Sequence, residues 1–222
     1  MAKKEKFILL SLIEFQNWLN QQQFTRKIKL IQNHHTYVPD YSTFSKSKDH
    51  FSITKSMEKY HKEVRKFSEI AQNITTFPDG KIMICRNLNI APAGIKGANS
   101  KGICIEHLGN FDKNGDEMTD DHKVSIIGIN ALLCKKFDID LSDENIVYHY
   151  WYDLNSGKRM NGNGTTKSCP GTNFFGGNSV KSFNDNLLPL IRTYKKIFDQ
   201  LPFITFDDVK ALPLQIIQKG EE

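Results

Sequence analysis

Long apolar runs are missing from this 222-residue chain. No segment approaches the ~20 consecutive apolar residues that a helical membrane span needs, so no membrane insertion is expected. Cysteine is scarce, and Cys85, Cys104, Cys134 and Cys169 lie far apart. Four scattered cysteines in a chain of this size do not make a disulfide framework and fit a reducing site of synthesis. Internal repeats, long linkers and low-complexity stretches are also missing, which leaves one domain, long enough to bury a real core. Charge of one sign is in short supply: the formal net charge is only +5, and the basic residues are spread along the chain. That mild excess suits a polyanion such as nucleic acid or an anionic cell wall without choosing between them. No aromatic-laced basic block is present, so nucleic acid is not expected as a partner. A composition of 39% hydrophobic and 25% charged residues is that of a folded domain.

The chain begins MAKKEKFILLSLIEFQNW, with basic residues ahead of a short apolar run. The run is interrupted by Ser11, meets Glu14 at once and has no small-residue cleavage site after it, so no signal peptide is expected. The same letters read better as a helix over 11 to about 22, with Ser11 as N-cap and Glu14 closing a capping box. Leu12, Ile13, Phe15, Trp18 and Leu19 then recur at helical spacing. KIKLIQNH (27–34) predicts a strand and residues 53–68 a polar helix. ITTFPDGKIMICR (74–86) predicts a hairpin turning at Pro78-Asp79-Gly80. GICIEHLG (102–109) predicts a buried strand, and Thr119 caps a predicted helix over about 120–135. NIVYHYWYD (145–153) is read as strand or extended chain. A Gly/Asn-rich loop follows, then a helix over about 185–199 and a short one near 206–212. Helices mixed with strands predict an α/β or α+β domain around one central sheet.

Three residues on strand ends or loops could carry chemistry. His34 closes the first strand, His149 lies within VYHYWY, and Cys169 precedes Pro-Gly. Their spacing is not a structural-zinc signature, although catalytic zinc sites do use three scattered ligands and an open fourth position. The ordinary readings are strand-end histidines and a small buried cysteine. Pro-Gly after Cys169 predicts a tight turn that displays the thiol, and Lys167 two residues earlier favours thiolate. Glu106 points away from Ile103 and Ile105, either toward a polar sheet face or into a site. Cys85, Cys104 and Cys134 sit in apolar runs and read as core. His61 and His122 read as helix-surface histidines. Arg86 reads as a salt-bridge partner or a substrate-side residue. DKNGDEMTDD alternates Asp112, Asn114 and Asp116, but Glu117 and Lys123 occupy the positions where a calcium loop needs Gly and Glu, so calcium is not expected.

Taken in order, IQNHHT, SEIAQNITTFPDGKIMICR, GANSKGICIEHLGNFD, VYHYW and KSCPG resemble the type-2 N-acetylmuramoyl-L-alanine amidases. That zinc amidase fold is shared with peptidoglycan recognition proteins and many phage endolysins. The resemblance covers about residues 27–180. It implies a single α/β domain with a central mixed β-sheet flanked by helices. Residues 1–26 would be a helical lead-in, 27–180 the zinc amidase catalytic domain, and 181–222 a C-terminal helical extension packed on it. It implies one zinc ion held by His34, His149 and Cys169, with His35 beside the metal and not on it. It makes Glu106 the general base and Lys167 an electrostatic stabiliser. The implied reaction is hydrolysis of the amide between N-acetylmuramic acid and the L-alanine of the stem peptide in peptidoglycan. Synthesis in the cytoplasm and action on the wall after release or lysis would follow, as in an endolysin or autolysin. The loop from Asn155 to Thr166 would border the groove and stay mobile until glycan binds. The chain departs from the family at FSEIAQN, where Gln72 and Asn73 take the places of a Tyr-His pair. Two other readings stay open: a non-catalytic peptidoglycan-binding module, and a structural zinc closed by a fourth ligand such as Asp153.

Overall fold

Alternating apolar residues build a six-stranded mixed sheet in the computed structural model, which describes residues 6–201 and 203–214. The strands are β1 (Ile8–Leu10), β2 (Leu30–His35), β3 (Ile74–Thr76), β4 (Ile82–Ile84), β5 (Gly102–His107) and β6 (Ile146–Tyr148), in spatial order β1-β4-β3-β5-β2-β6. The pairs β1/β4 and β4/β3 are antiparallel; β3/β5, β5/β2 and β2/β6 are parallel. Successive side chains in a strand point to opposite faces. One face therefore carries Ile31, Ile74, Ile82, Ile84, Ile103, Ile105, Ile146 and Tyr148, all in the main core cluster. Helices α1 (Leu12–Gln21) and α4 (Asp120–Phe137) cover it, with α6 (Leu188–Gln200) behind α4. Ten consecutive residues of α4, Ser125 to Cys134, are buried. A helix sandwiched between a sheet and another helix has no wet side, which explains its lack of amphipathic pattern.

The opposite face is covered unevenly. At its β4 end, Met83 and Cys85 join a second core with Phe44 of α2 (Tyr41–Ser47) and Ile53 and Met57 of α3 (His50–Glu63). At its β2/β5/β6 end no helix among the described residues covers the sheet, and the candidate site lies there. Parallel strands end in a crevice at their carboxyl ends, the common ligand position of such sheets.

The Ser11 capping box, the Pro78-Asp79-Gly80 hairpin and the Thr119 cap form as the sequence predicts. Other elements differ. Ile8–Leu10 is an edge strand paired with β4, where the sequence reads only helical lead-in. β2 starts at Leu30, three residues later than predicted. α2 was not anticipated, and α3 starts earlier because Asp40 and Asp49 cap them through the N–H groups of Thr43 and Ser52. VYHYWY is not one strand: β6 stops at Tyr148 and a 3-10 turn spans His149–Trp151. The C-terminal helix begins at Val180 as α5 (Val180–Ser182) and runs through a π-helical turn (Phe183–Leu187) into α6; α7 spans Phe206–Lys210. The tail of the 181–222 extension, residues 215–222, and the first five residues of the 1–26 lead-in lie outside the described residues. No helix among the described residues is long and apolar enough to cross a membrane.

Candidate metal centre

Strand parity places His34 and Glu106 on the uncovered face. They are direct neighbours across the parallel pair β2/β5, with Thr75 of β3 on the far side of Glu106. His149 opens the 3-10 turn after β6, the strand on the other side of β2, and its ring lies 4.8 Å from that of His34. Cys169 arrives from a distant loop. Its carbonyl accepts a 2.7 Å hydrogen bond from Tyr150 N–H, which ties it to the turn that carries His149. Asp112 holds the turn from the outside, accepting from Ser168 Oγ at 2.8 Å and from Thr172 N–H at 2.9 Å. Gly171 lies at φ 123°, and a Cβ there would sit 2.3 Å from the Phe111 carbonyl oxygen, so only glycine lets the turn pack down.

That tight seating corrects one expectation. Cys169 is 5% exposed, not displayed: the turn faces outward but the side chain points in, and Sγ accepts a 3.4 Å hydrogen bond from His35 N–H. His35 points to the opposite face and its Nδ1 accepts from Phe111 N–H. The ligand atoms of His34, His149 and Cys169 all lie within 4.8 Å of one another. A second set, His34, Cys104 and Glu106, meets the same distance. The first is the better metal cradle. Cys169 has a backbone N–H ready for its thiolate. Cys104 Sγ receives no hydrogen bond among the described residues and is pressed under Gly94, where a Cβ would come within 2.9 Å of it. Lys167 is exposed, and its charge acts on His34, His149, Cys169 and Glu106.

A family profile described as N-acetylmuramoyl-L-alanine amidase matches residues 24–172. The chain belongs to this amidase family. Among solved structures, Drosophila PGRP-LB superposes with a TM-score of 0.52 at 20% identity, covering 69% of this chain and 81% of that one. Drosophila peptidoglycan recognition protein SA gives 0.52 at 18%, covering 75% and 83%. The N-acetylmuramoyl-L-alanine amidase LysC of Clostridium intestinale gives 0.49 at 23%, covering 67% and 80%. The two Drosophila likenesses bear on the fold, a single domain with a mixed sheet and helices. No curated protein matches the sequence.

Several residues of this amidase-family chain fall where the sequence did not put them. His122 is fully buried, because it faces the sheet from the first turn of α4 while Asp120 and Asp121 face water, and it bonds to Tyr41 and Thr76. His61 is half-buried and its Nδ1 accepts from Ala71 N–H. Arg86 is buried and donates to the carbonyls of Ile70, Ala91 and Glu69 beside the Glu69 carboxylate, which makes it structural. Asn73 braces the β5 backbone by accepting from Cys104 N–H, and Gln72 donates to Thr75. The Asp153 carboxylate is taken up by Asn155, Ser156 and Thr165, which ties down the base of the 155–166 loop. Arg159 pins its middle to Asp143 and Glu144. The loop predicted to be mobile is thus braced at two points. Cys104 reads as core from its apolar run, yet the period of two in GICIEH puts it on the same face as Glu106.

Burial sets the electrostatics. It pushes the Glu106 carboxyl up to about 8 against the pull of Lys167, and raises the Cys169 thiol well above its ordinary value. It lowers His35 and His149 to about 4, His122 to about 3, and His34 and His107 well below the usual imidazole range. Neutral imidazole is the form that binds a metal, and a bound dication deprotonates a thiol outright. These five histidines, together with His61, whose pKa burial also lowers, fix a pH dependence. An unfolded chain protonates them near 6.5 while the fold resists, so stability is fully present above that pH and lost as pH falls toward 4. Glu106 has the opposite sign, costing stability as pH rises from 4.5 to about 8, but it is one group against six. Each fully titrating histidine contributes a slope of ~1.4 kcal/mol per pH unit. Metal-free protein should melt roughly 5 °C or more lower at pH 5 than at pH 7. An equal melting temperature at both would show that these imidazoles protonate in the fold.

Proposed function

We propose that this protein is a zinc-dependent peptidoglycan hydrolase that cuts the amide between the lactyl group of N-acetylmuramic acid and the L-alanine of the stem peptide. The observation that carries the reading is the meeting of His34, His149, Cys169 and Glu106 at one uncovered sheet end. The donor set fits zinc. Two imidazoles and one thiolate are its ordinary ligands, and three protein ligands leave a position open for catalysis. His34 Nε2 is buried with no hydrogen-bond partner among the described residues, as befits an atom waiting for a cation. Asp153, the aspartate considered as a closing fourth ligand, is committed to its loop, which speaks against its closing a structural zinc site.

Zinc in this cradle would supply Lewis acidity toward the amide carbonyl and acidify the attacking water. Glu106 accepts the proton of that water and hands it to the leaving amine. The Lys167 ammonium, whose charge reaches the site, would stabilise the oxygen that becomes negative when the carbonyl is attacked. Asp112 and Tyr150 keep Cys169 in place without touching substrate. A non-catalytic binding module is the second reading; the intact three-ligand set with a carboxylate beside it favours hydrolysis. A PGRP-LB variant of this fold has been solved with tracheal cytotoxin, which supports a peptidoglycan fragment as ligand class for this chain too. Digestion of defined muropeptides, with and without a zinc chelator and read by mass, tests the assignment. Expected is free stem peptide beginning at L-alanine, formed only without chelator. Cleavage elsewhere, or cleavage indifferent to chelation, would overturn it.

A further inference from the structure

Apart from His35 at the end of β2, the covered face of the sheet is apolar except along one line directly behind the candidate metal centre. Asn33 of β2, His107 of β5, Thr76 of β3, and His122 and Asn130 of α4 are each 0% exposed, and Tyr41 of α2 is half-buried. Burying so many polar groups is costly unless each is paired. They pair with one another in a single chain of bonds.

The direction of that chain is fixed from one end. Asn130 Nδ2 must donate to the Ile126 carbonyl, which can only accept, so its amide orientation is set. Asn130 Oδ1 then accepts from Asn33 Nδ2 at 3.1 Å, which turns Asn33 Oδ1 toward His107 Nε2 at 2.9 Å. His107 therefore carries its proton on Nε2, and Nδ1 accepts from the Thr76 hydroxyl at 2.8 Å. Thr76 Oγ1 accepts in turn from His122 Nε2–H at 2.7 Å, and His122 Nδ1 accepts from Tyr41 O–H at 2.8 Å. Phe174 stacks on His107 at 5.3 Å and seals the line from water.

Every sheet member of the chain is sequence-adjacent to a residue on the opposite face. Asn33 precedes His34, His107 follows Glu106, and Thr76 follows Thr75. His34, Glu106 and Thr75 form one rung across β2, β5 and β3. We propose that this buried chain is a positioning device for the metal centre: by locking β2, β5 and β3 from behind, it sets how His34 and Glu106 stand toward the ion. The residues touch neither ion nor substrate. They differ from ordinary outer partners of a metal site, which bond to the ligand itself, because here the coupling runs through the backbone of adjacent residues. The inference rests on the zinc reading above.

Thr76→Val keeps the side-chain shape but removes the central hydroxyl, leaving both imidazoles without their shared partner. Thr76→Ser keeps the hydroxyl. The readouts are zinc affinity by chelator competition and the visible absorption of the cobalt-substituted protein, with thermal melting alongside. Expected for Thr76→Val is ~10–100-fold weaker metal binding, the usual cost of losing an outer partner, together with shifted cobalt bands. Thr76→Ser should match wild type. A folded Thr76→Val with wild-type affinity and bands overturns the proposal, even if it melts lower, since that is the mark of a merely structural role. Equal damage in Thr76→Ser overturns it as well. Should Thr76→Val not fold, Tyr41→Phe, which breaks the terminal bond to His122 and the 3.3 Å bond that Tyr41 Oη accepts from Thr119 N–H, must shift the bands the same way and by less; no shift overturns it. Wild-type protein that binds neither zinc nor cobalt removes the zinc reading itself, a distinct outcome from metal-binding protein indifferent to Thr76.

Discussion

Cys169→Ala is expected to lose zinc and wall hydrolysis together while remaining folded. The argument is local. Sγ is the one soft, anionic donor proposed for the ion, and two imidazoles alone make a weak zinc site. The loss should exceed the ~10–100-fold that removing an outer partner costs. The fold should survive because the turn is held by groups other than the thiol: Tyr150 N–H on the Cys169 carbonyl, and Asp112 on Ser168 and Thr172. What is lost is the pair of weak sulfur bonds to His35, 3.4 Å from its N–H and 3.9 Å to its carbonyl. Metal analysis after gel filtration, circular dichroism and release of stem peptide from purified walls check the three parts. Cys134→Ala is the control: Cys134 is equally buried, far from the site in α4, and its loss should leave zinc content unchanged. Folded Cys169→Ala that still holds one zinc and still hydrolyses would remove Cys169 from the ligand set.

How much of this could be read from the letters depended on whether local rules or tertiary context decided each residue. Caps and turns are local, so Ser11 with Glu14, Thr119, and Pro78-Asp79-Gly80 were legible. The mixed sheet followed from the mixture of strand and helix patterns, and the family resemblance pointed to the residues that meet at its open end. Burial was less legible. Pro-Gly after Cys169 announces a turn but not which way the thiol points, and that direction depends on Phe111 and His35 from other parts of the chain. His122 sits in a helix beginning with acidic residues and looks like surface; it is buried because it faces the sheet, against Thr76, His107, Tyr41 and Phe111. Ile8–Leu10 is too short to signal a strand on its own, and its pairing with β4 is a long-range event. The polar line behind the metal centre joins residues 33, 41, 76, 107, 122 and 130; His107 and Asn130 are polar letters inside apolar runs, whereas Tyr41 and His122 sit in polar stretches that give no sign of it.

Glu106→Gln should keep zinc yet lose ~10²–10⁴ in rate, the range a positioned general base supplies. The substitution preserves shape and removes only the ability to take a proton. Glu106 is suited to that work because burial pushes its pKa up to about 8 while Lys167 pulls the other way, so its proton affinity lies near neutral pH. A base must be ionised to act, so wild-type kcat/KM should fall as pH drops through the carboxyl's pKa, and a bound dication moves that point downward from the metal-free value. The variant should lack this acid limb. A second consequence needs no metal. In metal-free wild type the carboxyl resists ionisation, so stability declines as pH rises from 4.5 to about 8. Gln cannot ionise, so Glu106→Gln should melt above wild type at pH 8 and level with it at pH 4. Thermal melts at the two pH values and pH–rate profiles on walls check both arms. A rate within a few-fold of wild type would move the base elsewhere. Gln72, already bonded to Thr75 beside Glu106, is not a substitute, because an amide does not take up a proton at these pH values. Asn73 is likewise committed to the β5 backbone, which leaves Glu106, the strand neighbour of His34, as the carboxylate proposed to act.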